Sequence, residues 1–173
     1  VGTDYRKGRN VSPEQFEETF GFRGVQFGNW LNNVERQIAL NDAYDAFMDL
    51  ATALKISPKA LSLAGELGIA FGARGGGAAS AHYEPEQIVI NLTKTKGAGS
   101  LAHEWWHGLD NYFSRKRGEK DKYLTQKPRQ YVHIEGKEVS PDETIRQEMI
   151  DAFNDIVDVI EKSGLSKRSE ELD

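Results

Sequence analysis

The chain has 173 residues, a formal net charge of -5, 38% hydrophobic residues and no cysteine. A chain of this length buries a core without cross-links, so a bound metal would serve chemistry rather than rescue the fold; with no thiolate available, only histidine and carboxylate remain as metal ligands. The acidic balance weighs against a general nucleic-acid-binding domain, no apolar run approaches the about 18 residues of a membrane span, and the first residues lack a signal-peptide layout, so a soluble cytoplasmic protein is expected.

Ser12-Pro13-Glu14-Gln15 predicts a short helix: an N-cap serine, proline at the first helical position and glutamine at the reciprocal capping position, with a stop near Gly21. Between Phe20 and Trp30 glycines alternate with aromatics, which suits a tightly packed loop or short strand. From Asn33, Leu40, Ala43, Tyr44, Phe47, Leu50, Ala51 and Leu54 recur at helical spacing and predict a long helix with one buried face. Ser57-Pro58 starts another short helix, and Gly68 to Phe71 reads as a strand. The glycine-rich run after it, Gly72 to Gly77, lacks the lysine and Ser/Thr of a phosphate-binding loop and reads as a connection. Residues 79–83 and 88–92 flank the polar turn Glu84-Pro85-Glu86-Gln87, which predicts a hairpin. Ile88 to Leu92 is taken as its exposed edge strand. The chain lacks an initial methionine and ends in a charged stretch, so one domain over 1–165, excised from a larger multidomain protein, is expected before a tail or linker at 166–173.

The chemistry concentrates in His103-Glu104-Trp105-Trp106-His107. On a helix, residues four apart project from one face, so His103 and His107 can meet one zinc ion, while Glu104 is placed to activate a water on it. Leu101, Trp105, Leu109, Tyr112 and Phe113 would anchor the opposite face, leaving His103, His107 and Asp110 facing a cleft. A catalytic zinc takes three protein ligands. In the last predicted helix Ser140-Pro141-Asp142-Glu143 is a capping box, and Glu148 falls within the apolar stripe of Ile145, Met149, Ala152, Phe153, Ile156 and Ile160. A carboxylate at a core position needs a cation, so Glu148 is the first choice for the third ligand, an ion pair with an arginine being the bland alternative. Asp110 is the rival ligand, or an acceptor that fixes an imidazole tautomer. The stretch from Ser114 to Val139 is basic and poorly patterned, either a solvated loop or a lid; Tyr112, Tyr131, His133 and Arg146 are candidate contacts to a substrate oxyanion.

These features resemble the zincin metallopeptidases of the compact gluzincin-like kind. Phe20-Gly21-Phe22-Arg23-Gly24-Val25, Phe27-Gly28-Asn29-Trp30, Ala81-His82-Tyr83-Glu84-Pro85, Asn91-Leu92-Thr93-Lys94 and the run from Leu101 to Phe113 together look like the large polyvalent protein-associated domain 1 of phage and conjugative-element proteins, over roughly residues 1–162. The order of elements is also similar to the metallopeptidase domain at the start of some antirestriction proteins. The resemblance implies an α+β zincin-like fold, with a small antiparallel or mixed sheet whose edge strand lies beside the HExxH helix and a later glutamate-bearing helix. It also implies a mobile-element setting in a bacterial host cell, with delivery alongside phage or plasmid DNA, and a zinc-dependent peptidase acting on a host defence protein or a sister domain of the same polypeptide. Phe113 stands where metzincins have a third histidine, so their ligand set is excluded. Two further readings stay open: a catalytically inactive zinc-binding module that recruits a host or phage protein, and a DNA-associated domain using Arg115 to Arg129.

Overall fold

A computed structural model of the chain describes residues 3–28, 32–72, 81–92, 98–116, 118, 123–125, 132–134 and 137–139. Helix α1 (Pro13–Phe20) begins as its cap chemistry requires: the Ser12 hydroxyl accepts the Gln15 N–H, Pro13 fills a position that needs no donor, and Gly21 at φ +69° ends it. Strand β1 (Val25–Phe27) follows. Helix α2 (Asn33–Leu54) opens on a full capping box, Asn32 with Glu35, and ends at Lys55, a non-glycine residue in the left-handed region. After a 3-10 turn (Pro58–Ser62) come β2 (Gly68–Phe71), β3 (Ala81–Glu84), β4 (Val89–Leu92) and the histidine helix α3 (Ala98–Lys116). A separate two-stranded ribbon pairs β5 (Val132–Ile134) with β6 (Lys137–Val139). The α+β class expected from the sequence is observed, the described residues forming three helices and a four-stranded mixed sheet besides that ribbon. The predicted helix from Ser140, carrying Glu143, Arg146 and Glu148, lies outside the described residues.

The sheet order is β1-β2-β4-β3, with β1, β2 and β4 parallel and β3 antiparallel to β4. Val25, Ile69, Ile90 and Tyr83 line up across the four strands on one face, and Phe27, Phe71 and Leu92 continue it. This face joins a core in which Phe16, Phe20, Phe22 and Phe47 meet edge-to-face or tilted, with ring centroids 4.9–6.1 Å apart. Leu101, Ala102, Trp105 and Leu109 bring α3 into the same core.

One expectation is corrected. Ile88 to Leu92 is not an edge: β4 lies between β2 and β3, and the borders of the sheet are β1 and β3. The physical reason is burial on both faces. Val89, Ile90 and Asn91 are all buried, whereas β3 alternates buried Ala81 and Tyr83 with partly exposed His82 and Glu84. Polar side chains on alternate positions are what an edge strand tolerates. Among the described residues no helix is long and apolar enough to cross a membrane.

Candidate metal centre

Helix α3 is oriented by what it buries. Leu101 and Trp105 enter the core, and the Trp105 indole N–H donates to the Leu61 carbonyl at 2.9 Å, which fixes the rotation of the helix. His103 is left exposed and His107 partly buried. Their Nε2 atoms converge to 2.9 Å, with ring centroids 4.5 Å apart and planes at 90°. At that distance one neutral imidazole donates to the other. Tetrahedral zinc ligands at about 2.0–2.1 Å from the metal sit roughly 3.3 Å from each other, so a metal requires the pair to open by only a few tenths of an ångström. Burial, and next the neighbouring His103, push the His107 pKa below 6.5, against the opposing pull of Glu104 and Asp110. An imidazole kept neutral retains the lone pair that ligation needs.

Glu104 reaches sideways from the helix to the edge strand, where its Oε2 accepts the Tyr83 main-chain N–H at 2.7 Å. In an antiparallel ladder alternate residues turn their N–H groups away from the partner strand, and Tyr83 offers that outward group. Tyr83 is itself held at its far end. Its hydroxyl donates to Asn111 Oδ1 at 2.7 Å and accepts from Arg115 Nη1 at 3.3 Å; Arg115 also bonds Asn111 and pairs with Glu66 at 3.1 Å. Burial raises the Tyr83 phenol above its usual 10.0, more than the Arg115 charge lowers it. Gly108 lies beside it: a Cβ there would meet the Tyr83 ring at 3.5 Å, an ordinary van der Waals contact.

Asp110 does not face an open cleft. It is buried, and its two carboxylate oxygens accept the Thr125 N–H at 3.1 Å and the Thr125 hydroxyl at 2.8 Å. Its position just beyond His107 on the helix is real, but tertiary docking of residues 123–125 occupies it. Tyr112 lies under Lys116 and Arg115, whose charged groups are 4.8 and 5.6 Å from its ring centre. It stands about 140° around the helix from His107, at 100° per residue. Of the remaining candidates, His133 lies on β5, its side chain outside the described residues, as are Tyr131, Arg146 and Glu148. Among the described residues no three His, Asp or Glu side chains form a metal-holding group. His82, the fourth histidine, bonds Glu84 at 3.0 Å on the other face of β3.

The sequence reading assigned no role to Tyr123 or Asn111, and Arg115, expected in a basic loop, stands instead on α3, paired with Glu66. Asn111 and Arg115 carried a faint signal, a polar i, i+4 pair on the histidine helix. Tyr123 carried none, because only the return of its segment onto α3 brings its ring 5.8 Å from that of His107. No family model matches the chain, and no curated protein or solved structure matches it significantly.

Proposed function

We propose that the chain is a zinc-dependent metallopeptidase domain of zincin-like fold, with His103 and His107 as metal ligands, Glu148 supplying the third and Glu104 as the general base. The observation that carries this reading is the convergence of two imidazole Nε2 atoms at 2.9 Å with the Glu104 carboxylate one residue away, tied to the edge strand β3. A bound zinc would supply a polarised water and a Lewis acid for the scissile carbonyl. Glu104 takes the proton from the attacking water and returns it to the departing amine. Its bond to the Tyr83 N–H holds one carboxylate oxygen and aims the other. The resemblance to polyvalent-protein domains supports a substrate in the mobile-element setting, a host defence protein or a sister domain.

A second reading draws on the same bond. If Glu104 serves only to tie α3 to β3, the domain is a zinc-binding module that recruits a partner without cleaving it. One variant separates the two, because Glu104→Gln still accepts the Tyr83 N–H through its amide oxygen but cannot take a proton. Metal content and casein hydrolysis are measured on the purified chain, Glu104→Gln and Glu148→Ala. The peptidase reading expects one zinc in the parent and in Glu104→Gln, hydrolysis in the parent only at a rate at least 100-fold above the variant, and zinc lost in Glu148→Ala. Equal hydrolysis by parent and Glu104→Gln would sink the catalytic assignment. Zinc retained by Glu148→Ala would remove that residue from the ligand set.

A further inference from the structure

A cavity of about 210 Å3 opens in the loop that precedes α1, and no residue of the histidine helix lines it. Its frame is the turn Arg6-Lys7-Gly8-Arg9, closed by the Arg9 N–H on the Arg6 carbonyl at 3.0 Å, with Lys7 at φ +52° and Gly8 at φ +71°. Two successive residues at positive φ are the pattern of a type I′ turn, whose first central position favours asparagine, aspartate or glycine. A lysine held there is strained, and strain of this kind collects at binding sites. The turn is fixed from behind. The Arg6 guanidinium donates to both Asp45 oxygens, at 3.0 and 3.1 Å, and to the Arg9 carbonyl at 2.7 Å; the next residues are tied to α2 through Asn41, which accepts the Val11 N–H and donates to Asn10 Oδ1, each at 3.0 Å. Asp42 and Asp45 both act on Arg6, so its charge is spent in the wall.

The rest of the lining is unspent. Lys7, Arg9 and Gln15 have no side-chain partner among the described residues, and the Asn10 amide has only its oxygen engaged. None of the lining residues is acidic, in a chain whose net charge is -5. Two cations and two amides give the cavity more donors than acceptors, so a fitting ligand brings negative charge and several acceptor oxygens. The volume lies below the about 300 Å3 at which pockets for larger organic ligands begin, which suits a phosphoryl group with little attached to it. We propose that this cavity binds a phosphate dianion, free or as the terminal group of a small monoester, with Lys7 and Arg9 as charged donors and Asn10 and Gln15 as neutral ones. The site shares no residue with the metal centre, so it stands or falls independently of the peptidase reading.

The test titrates the full 173-residue chain with inorganic phosphate in a calorimeter, at an ionic strength held constant with chloride, and repeats the titration with phosphoserine. Lys7→Gly is the informative variant, because it removes the ammonium while relieving the left-handed backbone, so its thermal midpoint should not fall. Arg9→Gln removes the second charge and keeps a polar side chain. Each is expected to lose about tenfold or more in phosphate affinity, the effect of one hydrogen bond to a charged oxygen, whereas Lys59→Ala, a cation outside the cavity, should bind like the parent. Phosphoserine bound as tightly as phosphate supports a monoester as the occupant, and phosphate bound alone supports the free ion. The proposal is overturned by a parent that shows no saturable phosphate binding. It is equally overturned by unchanged affinity in Lys7→Gly and Arg9→Gln, the result expected of phosphate held at the histidine pair, or by an equal loss in Lys59→Ala, the result of net charge alone.

Discussion

Asp110 and His107 stand three residues apart on α3, and in the sequence both look available to a cation. In the fold they take opposite duties. The imidazole turns its Nε2 to that of His103 at 2.9 Å, while the aspartate is consumed by Thr125. Removing the buried carboxylate takes the acceptor from the Thr125 N–H and hydroxyl, so Asp110→Ala is expected to destabilise the domain by about 1–3 kcal/mol. Urea unfolding measures this, and metal content read on the same sample should stay at the parent value. Loss of the metal with stability intact would make Asp110 a ligand after all. His107 and Glu104 were legible in the sequence because a five-residue helical motif fixes their relative geometry by itself. The Asp110 clasp was not legible, since its partner lies 15 residues further on.

At the scale of elements, local chemistry explains where the helices start. Ser12 and Pro13 set α1, and the periodicity from Leu40 to Leu54 sets the buried face of α2. The capping box that begins α2, Asn32 with Glu35, was written in the sequence but unread, although it satisfies two orphan N–H groups reciprocally. Asn32→Ala is expected to cost about 1 kcal/mol, seen as a lower midpoint in thermal unfolding followed by circular dichroism. An unchanged midpoint would mean that tertiary packing alone holds that end. The β5–β6 ribbon was likewise unread. Its two strands are separated by only Glu135-Gly136, a spacing that signals a hairpin, but the basic residues around it masked the alternation Val132-His133-Ile134.

Across the whole molecule, the Tyr83 network joins the sheet edge, α3 and the turn before β2 through Asn111, Arg115 and Glu66. Its pH behaviour follows from the raised Tyr83 phenol. The folded state holds the proton more tightly than the unfolded chain, so stability is full below 10.0 and falls as the pH rises past it toward the folded value. Tyr123 shifts the same way and adds to the effect. Denaturation midpoints compared between pH 8 and pH 11 should show this loss, and Tyr83→Phe should weaken the dependence while lowering stability at pH 8 by about 1 kcal/mol. An identical alkaline slope in parent and variant would exclude Tyr83 as its source.

By itself the sequence determined the helix starts, the hairpin, the aromatic core positions and the presence of His103, Glu104 and His107 on one helix, because each rests on residues within a turn or two of one another. Strand order was decided only by the tertiary structure. The run Ile88-Val89-Ile90 favours an interior place and the alternating His82 and Glu84 an edge, yet the assignment needs β2 to claim one side of β4. The same holds for the surroundings of the histidine pair. Tyr83, Thr125 and Tyr123 reach it from segments outside the helix, brought together by burial of Leu124, Trp105 and the sheet face, which no local pattern encodes.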